Sequence, residues 1–281
     1  MRLGVHVRTS GKGLEGAARH AAEIGCETIQ VFASNPNAWH SPDIKPEIVD
    51  DFRSSVEELG LDPVVIHTPY LLNLASPDPE IHEKSVSALI ESLKRSEMLG
   101  ARYVVTHIGS HKASGLEQGI QKVNEAVSMA LDRIAGKTIL LLENSAGSGD
   151  LVGSRFEHLR DILALLSGYR DRLGICLDTA HLWGAGYEIS EPQSVEKTVE
   201  DFDMIVGISR LGVLHLNDTK VALGAHVDRH ANIGTGNIGK KGFTAWVNHQ
   251  ALQHLSGIIE TPPRDTGDNL RDIDVLKSLR K

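Results

Sequence analysis

The sequence predicts an α/β protein folded as a single (β/α)8 TIM barrel, with the active site at the C-terminal ends of the strands, and three observations support this. Short apolar, β-rich runs alternate with longer stretches of helical periodicity along the whole chain. The 281 residues, 41% of them hydrophobic, suffice for one barrel with a full core. No Pro/Ser-rich linker, low-complexity tract or short-period repeat interrupts the sequence, so residues 1–281 are expected to form one domain.

Eight runs have the length and composition of buried strands. In chain order they are residues 3–7, 28–32, 64–67, 103–107, 138–143, 174–178, 213–216 and 257–260. Helical periodicity fills the intervals, most clearly at 80–99, 116–134, 155–166 and 240–254. Gly60, Gly100 and Gly136 follow helical runs and precede strands, as expected of helix C-caps. A doubly wound open sheet shows the same alternation, but it would not gather eight strand ends around a closed rim.

Composition narrows the class of protein. Lys and Arg number 29 against 37 Asp and Glu, and the net charge of −8 argues against bulk attraction to nucleic acid. Cys26 and Cys176 lie in or beside apolar segments without CxxC spacing, which predicts buried free thiols in a reducing cytoplasm and no thiol nucleophile. The sequence has neither a signal-like N-terminal run nor a membrane-spanning one, so a cytoplasmic protein without membrane contact is expected.

Nine possible metal ligands stand mostly where a short apolar run ends. They are His67, His107, Glu143, Asp178, His181, His215, Asp228, His230 and Glu260. A parallel barrel gathers the C-terminal ends of its strands around one mouth, so we expect them to form one cluster. Imidazoles and carboxylates without cysteine suit a catalytic Zn²⁺ or Mn²⁺ site. The i, i+3 spacing of Asp178 and His181, and the period of two between Asp228 and His230, let each pair face one ion.

The number of ligands points to the reaction. One catalytic zinc takes about three protein ligands and a water, so nine ligands predict a multinuclear site. Closely spaced ions suit phosphodiester hydrolysis, where one generates hydroxide and the others hold the phosphate. Three divalent ions would bring +6 against −4 from the four carboxylates, so the mouth is expected to be locally positive on an acidic protein. Net charge therefore does not exclude DNA as the partner.

The chain resembles the endonuclease IV family of apurinic/apyrimidinic (AP) endonucleases, from Gly4 to Glu260. The matching segments are HTPYLLNL at 67–74, HIGSH at 107–111, LENSAG at 142–147, LDTAH at 177–181, HLND at 215–218, DRH at 228–230, GTGNIG at 234–239 and IET at 259–261. As a nucleotide-binding motif, the 234–239 stretch is weak because it lacks the P-loop lysine. We expect it to be an adaptable loop near the third metal.

The resemblance implies a cluster of three zinc ions, and because the same nitrogen and oxygen ligands accept manganese, one site could hold Mn²⁺ instead. The ligand sets it implies are His67, His107 and Glu143; Glu143, Asp178, His215 and Glu260; and His181, Asp228 and His230. Glu143 would bridge two ions and help to hold a metal-bound hydroxide. In such enzymes the hydroxide attacks the phosphate 5′ to an abasic site in double-stranded DNA, leaving a 3′-hydroxyl and a 5′-deoxyribose phosphate. Trimming of blocked 3′ ends and a monomeric state are also expected.

The resemblance also implies DNA contacts. Tyr70 and Leu71 match loop residues that wedge into the gap left when the abasic nucleotide flips out, and Arg229 is expected to contact DNA. Asn37 stands where the family commonly has an arginine that enters the duplex. The turn after the first strand, HVRTSGKG at 6–13, also departs from the usual small-residue sequence. Arg8, Lys12 and Trp39 are candidates to compensate for the missing arginine.

Two other functions fit parts of the sequence. A sugar isomerase or epimerase on the same kind of barrel would use the subset Glu143, Asp178, His215 and Glu260, leaving the other five ligands unexplained. A catalytically silent DNA-binding or scaffold protein would keep the metals for stability alone.

Overall fold

The computed structural model describes residues 1–261 and 270–281, and within them eight parallel strands close into a barrel in simple chain order. The strands are β1 Arg2–His6, β2 Thr28–Phe32, β3 Val64–His67, β4 Tyr103–His107, β5 Ile139–Glu143, β6 Leu173–Asp178, β7 Leu211–His215 and β8 Ser256–Ile259. β1 pairs with both β2 and β8, which closes the sheet. The predicted (β/α)8 barrel is therefore confirmed, with strand boundaries displaced by at most two residues.

Helices cover the outside of the barrel. They are α1 Gly13–Glu23, α2 Pro46–Glu58, α3 Pro79–Leu99, α4 Leu116–Arg133, α5 Phe156–Leu165, α6 Thr179–Ala185, α7 Pro192–Ile205, α8 Gly239–Asn248 and α9 Leu270–Leu279. The helix expected at 240–254 is shorter, because His249 adopts an extended backbone (φ −62°, ψ 124°) and only a 3₁₀ turn follows. Among the described residues, no helix has the length and hydropathy that crossing a membrane requires.

Two of the three predicted glycine caps are present. Gly60 and Gly100 have φ of +66° and +71°, the left-handed conformation typical of residues that end a helix. The prediction for Gly136 was wrong, because α4 ends earlier, at the extended residue Ile134. Gly136 instead lies against the side chain of Glu97, where a Cβ would come 2.0 Å from a carboxylate oxygen. A larger residue at this position would displace the Glu97 side chain, so Gly136 has a packing role and does not cap a helix.

The inside of the barrel explains where the predicted ligands point. A small apolar cluster, separate from the core under the helices, fills the interior; it consists of Val65, Val105, Leu141, Cys176, Val213 and Ile258. Two residues further along the same six strands stand His67, His107, Glu143, Asp178, His215 and Glu260. Side chains alternate with a period of two along a strand, so each ligand faces inward one layer above an apolar residue. The apolar layer forms the floor on which the ligands converge.

The ends of the chain are tied together beside β1. The Arg280 guanidinium donates to both carboxylate oxygens of Glu27, at 2.6 and 2.9 Å, and to the backbone oxygen of Met1 at 2.9 Å. Glu27 also accepts a hydrogen bond from the backbone N–H of Leu3 at 2.9 Å. The hydrogen bond from Arg280, outweighing burial, lowers the pKa of Glu27. This carboxylate therefore holds the last helix to the first strand.

We expect Arg280→Leu to lower the free energy of unfolding by about 1 kcal/mol, and the melting temperature by about 2 °C. The value is modest because the side chains of Arg280 and Glu27 are 28% and 36% exposed, so water screens the pair. A depressed carboxyl pKa contributes stability above its unfolded value of about 4.3, and this is lost as the pH falls through the folded pKa. Denaturant unfolding should show the deficit at pH 7 and a smaller one near pH 3. Arg133→Leu serves as the control, because Arg133 is an exposed arginine on α4. An equal loss of unfolding free energy in both variants would show that the Arg280–Glu27 pair does not stabilise the fold.

Candidate metal centre

The predicted ligands converge at the C-terminal mouth of the barrel. Their nitrogen and oxygen atoms form three groups, and the atoms in each group lie within 4.8 Å of one another: His67, His107 and Glu143; Glu143, Asp178, His215 and Glu260; and Asp178, His181 and His230. Glu143 belongs to the first two groups and Asp178 to the last two. Two shared carboxylates thus join the three groups into one cluster.

Asp228 lies at the third group from the solvent side. Its carboxylate oxygens are 3.1 Å from Nε2 of His181 and 3.3 Å from Nε2 of His230. Asp178 approaches the same His230 nitrogen, at 3.5 Å. The structure therefore brings all nine predicted residues together, and it adds Asp178 to the surroundings of the third group. The assignment of each residue to a particular ion stays a prediction.

Glu143 is the centre of the cluster, and its side chain is fully buried. One carboxylate oxygen lies 3.3 Å from Nε2 of both His67 and His107, and the other lies 3.1 Å from Nδ1 of His215. Burial raises the pKa of Glu143, but His215 and His107 outweigh burial and hold this pKa well below its usual value. The carboxylate is therefore ionised at neutral pH, the form that binds a metal.

Asp178 has a structural task as well as a place in the cluster. It ends β6 and caps α6, accepting a hydrogen bond from the backbone N–H of His181 at 2.9 Å. Its other carboxylate oxygen accepts from the Asn217 amide at 2.6 Å and faces His230. The capping bond fixes the turn that carries His181, so the i, i+3 spacing does bring both side chains to one pocket.

Backbone carbonyls orient two of the histidines. Nδ1 of His67 lies 2.7 Å from the carbonyl oxygen of Thr68, and Nδ1 of His181 lies 2.9 Å from that of Asn144. A carbonyl can only accept, so Nδ1 carries the proton in each ring and Nε2 presents a lone pair to the cluster. Histidines that bind metals are commonly held in this way.

The side chains present fit a metal. Nε2 of His181 and Nε2 of His230 are buried and make no hydrogen bond within the described part of the chain, although carboxylate oxygens lie close to both. Imidazole nitrogens and carboxylate oxygens that face one another without a hydrogen bond are suitable ligand atoms for Zn²⁺ or Mn²⁺.

A cleft of about 610 Å³ opens above the cluster. His67, His107 and His181 line its inner part, and its edge carries basic and hydroxyl side chains, namely Arg8, Ser10, Lys12 and Arg229. Three cationic side chains therefore border the cleft of a chain whose net charge is −8. The positive charge expected from bound ions stays a prediction.

Of the five residues predicted to contact DNA, Tyr70 and Arg229 line this cleft, and the others differ in exposure. Tyr70 is 57% exposed, and its ring centre is 5.1 Å from that of Phe32 and 6.2 Å from that of His67. Leu71 is partly buried beside it, and Asn37 is exposed. Trp39 is partly buried and packs against the hydrophobic core, so only part of its ring faces solvent. Their contacts with DNA stay predictions.

Arg95 on α3 anchors the loop that carries Asn37, and sequence reasoning missed it. Its buried guanidinium donates to the carbonyl oxygens of Ala33, Ser41 and Pro42, at 2.8 to 2.9 Å. The Tyr70 N–H donates to the carbonyl of Pro36 at 3.1 Å, which ties this loop to the one after β3. No local pattern could have shown this, because Arg95 is more than 50 residues away and reads as part of an ordinary helix face.

The glycine-rich stretch 234–239 differs from the adaptable loop that we expected. The buried carboxylate of Asp218 accepts hydrogen bonds from the N–H groups of Gly236 and Ile238, at 2.9 and 3.1 Å. A Cβ on Gly236 would lie 2.3 Å from the Thr219 carbonyl oxygen, so only glycine fits. An isolated bridge pairs Asp218 with Ala231, next to His230. Hydrogen bonds to Asp218 therefore hold the 234–239 loop in place beside the metal centre.

Two further residues at the cluster were not identified from the sequence. His6, on the inner face of β1, places Nδ1 3.2 Å from a Glu260 oxygen. Gln30, in the middle of β2, contacts both His6 and Glu260. The strand-end rule that found most of the predicted ligands applies to His6 as well and could have found it, because β1 ends at His6. Gln30 carries no such signal, because a lone glutamine inside a strand has no characteristic spacing.

Comparisons with known proteins find relatives of the same fold and of similar length. The AP endonuclease 2 family, described as a xylose isomerase-like TIM barrel, matches residues 18–279. A probable endonuclease 4 of Halothermothrix orenii is 39% identical over 281 residues, covering 100% of both chains. One of Natranaerobius thermophilus is 42% identical over 99% of this chain and 98% of its own. The crystal structure of endonuclease IV from Thermus thermophilus superposes with a TM-score of 0.88 at 34% identity, covering 99% of this chain and 98% of that one.

Proposed function

The chain belongs to the endonuclease IV family of AP endonucleases, and on this basis we propose that it hydrolyses the phosphodiester bond 5′ to abasic sites in duplex DNA. The products would be a 3′-hydroxyl and a 5′-deoxyribose phosphate, and blocked 3′ ends would be trimmed by the same chemistry. The proposal depends mainly on one observation, a single cluster of three ligand groups in which Glu143 belongs to two groups and Asp178 belongs to two. A cluster of this composition suits three zinc ions, with manganese an alternative at one position.

The cluster would carry out the hydrolysis, and the cleft would bind the DNA. Bound ions of this kind activate a water molecule and neutralise charge on the phosphate and on the leaving oxygen. Glu143 has both oxygens among the ligands, which suits it to bridge two positions and to hold them at a fixed separation. Arg8, Lys12 and Arg229 border the cleft and supply positive charge for the phosphates on either side of the lesion. Tyr70 projects from the rim, where it can fill the gap in a duplex that lacks a base.

The alternative of a sugar isomerase or epimerase explains less of the site. It needs only the group of Glu143, Asp178, His215 and Glu260. His67 and His107, buried or partly buried against Glu143, and the Asp228 carboxylate between two histidines would then have no role. The alternative of a catalytically silent DNA-binding or scaffold protein leaves the open cleft above the cluster unexplained, because ions kept for stability alone would need no open access.

We further propose that the protein acts as a monomer in the cytoplasm. One chain supplies every ligand of the cluster, so no second subunit is needed to complete it. Cys26 and Cys176 are free, and burial raises the pKa of each thiol to about 12, which makes both unreactive. Sedimentation of the purified protein would test the monomer.

A duplex oligonucleotide with one tetrahydrofuran abasic analogue tests the proposed reaction. This analogue cannot undergo β-elimination, so any incision must be hydrolytic. We expect one cut on its 5′ side, and a DNA polymerase should be able to extend the new 3′-hydroxyl. If a protein with about three bound ions per chain left the duplex intact but epimerised a ketose, the isomerase alternative would replace this proposal.

We expect Asn37→Arg to tighten binding to abasic duplex by about 3- to 10-fold, because a planar cation at this exposed tip can stack in the opened duplex. The loop is already held by Arg95, so little ordering should oppose the gain. Dissociation constants should be compared at matched salt. Gln121→Arg adds the same charge on the outer face of α4 and is the control. An unchanged or weaker constant for Asn37→Arg would count against a DNA contact at this position.

A further inference from the structure

Gln30 is a fully buried polar side chain at the wall of the metal centre. Its Oε1 lies 2.9 Å from Nε2 of His215, and its Nε2 lies 2.6 Å from a Glu260 oxygen and 2.9 Å from Nδ1 of His6. We infer that Gln30 is a positioning residue that fixes which atoms of His215 and Glu260 face a metal ion. The inference rests on the proposed function, because it concerns one of the three proposed ion positions.

The contacts of Gln30 decide the orientation of its amide. The NH2 group donates, so it belongs opposite the Glu260 carboxylate. With the amide turned over, two oxygens would face each other at 2.6 Å with no proton between them. The carbonyl oxygen must therefore face His215, and the hydrogen-bond network leaves no other arrangement.

This orientation determines the form of His215. A carbonyl oxygen only accepts, so Nε2 of His215 must donate to it and carries the proton. The lone pair of the neutral ring is then on Nδ1, which lies 3.1 Å from a Glu143 oxygen and 3.2 Å from a Glu260 oxygen. His215 thus presents the nitrogen opposite to the one that His67 and His181 present, and Gln30 is the side chain that selects it.

Gln30 also orients Glu260. The carboxylate oxygen that accepts from Gln30 is Oε1, whereas the oxygen that faces His215 is Oε2. One amide therefore holds two of the four members of the group formed with Glu143 and Asp178. In metal sites, losing a partner of this kind typically weakens metal affinity by roughly 10- to 100-fold.

The test replaces the amide and measures zinc, not DNA cleavage. Gln30→Met keeps the volume without a donor or acceptor, and Gln30→Ala provides a second variant if the first folds poorly. Thr28→Val is the control, because Thr28 is buried two residues earlier on the same strand and its hydroxyl donates to the Pro63 carbonyl, away from the cluster. Each protein is loaded with zinc and titrated with a chelator, and the zinc per chain is measured. The visible spectrum of the cobalt-loaded protein reports on the surroundings of the ions.

We expect both Gln30 variants to release one ion at a free-zinc level about 10- to 100-fold higher than the wild type, with the other ions retained and the cobalt spectrum altered. Thr28→Val should behave as the wild type. If the Gln30 variants merely melted earlier while releasing zinc like the control, the inference would be overturned and the proposed function would stand. If they behaved as expected but the wild type cut no abasic DNA, the proposed function alone would fail. A wild-type chain that bound no zinc would overturn both.

Discussion

Glu143→Gln is expected to slow incision at an abasic site by about 1,000-fold or more while the protein stays folded. Both oxygens of Glu143 lie 3.1 to 3.3 Å from histidine nitrogens of different ligand groups. The amide keeps the shape but removes one charge and turns one acceptor into a donor aimed at the cluster. Charge stabilisation in such sites is worth several kcal/mol, and each 1.36 kcal/mol is about tenfold in rate. Single-turnover incision of the tetrahydrofuran duplex measures the effect.

Glu125→Gln is the matched control for this substitution. Glu125 lies on the exposed face of α4 and pairs with Lys122, so the same chemical change there should leave incision unaltered. Circular dichroism of both variants checks the fold. Undiminished cleavage by the Glu143 variant would rule out the bridging role and with it the proposed mechanism.

The barrel and most of its ligands could be predicted because one geometric rule governs both. A parallel barrel gathers the C-terminal ends of its strands at one mouth, so a polar residue that ends a short apolar run is expected there. His107 ends the run 103–107 and Glu143 ends the run 138–143, and the paired ends of β4 and β5 place both residues side by side. The rule needs only the positions of the apolar runs, which the sequence displays directly.

The parts that were missed depend on contacts between distant segments. Arg95 reads as one more polar residue in a helix, yet its guanidinium closes the loop after β2 through three carbonyl groups. Gln30 acts through residues 185 and 230 positions away. Asp178 belongs to two ligand groups because the closed barrel brings residues from other strands and loops beside it. Its spacing to His181 alone could not show this. Such relations need the three-dimensional fold.

The acidic composition and the proposed DNA substrate are compatible because charge is distributed unevenly. The net charge of −8 belongs to the whole chain, whereas Arg8, Lys12 and Arg229 lie at the edge of the cleft. Four of the acids are inside the cluster, where bound cations would more than offset them. An enzyme of this kind would approach DNA through one face only, so its affinity should fall steeply with salt despite the acidic surface elsewhere.

Removing the bound ions is expected to abolish incision and to lower the melting temperature by about 10 °C or more. The cluster places carboxylates and imidazoles together in the interior, and Glu143, Asp178 and His215 are essentially inaccessible to water. A ligand that binds only the folded state, at roughly 1,000 times its dissociation constant, stabilises it by about 4 kcal/mol, and the melting temperature follows at about 2–4 °C per kcal/mol. Prolonged dialysis against a chelator, with calorimetry and incision assays before and after, measures both effects.

Adding back one metal at a time shows whether the loss of incision and the fall in melting temperature have the same cause. Zinc should recover both the melting temperature and the incision, because nitrogen donors dominate two of the three ligand groups. Magnesium should recover neither, since it prefers oxygen ligands and keeps its waters. Manganese that restored incision together with zinc, but not alone, would favour a mixed cluster. Full incision by a protein carrying less than about 0.1 ion per chain would contradict a metal-dependent reaction, because the attacking water is expected to need an ion to ionise near neutral pH.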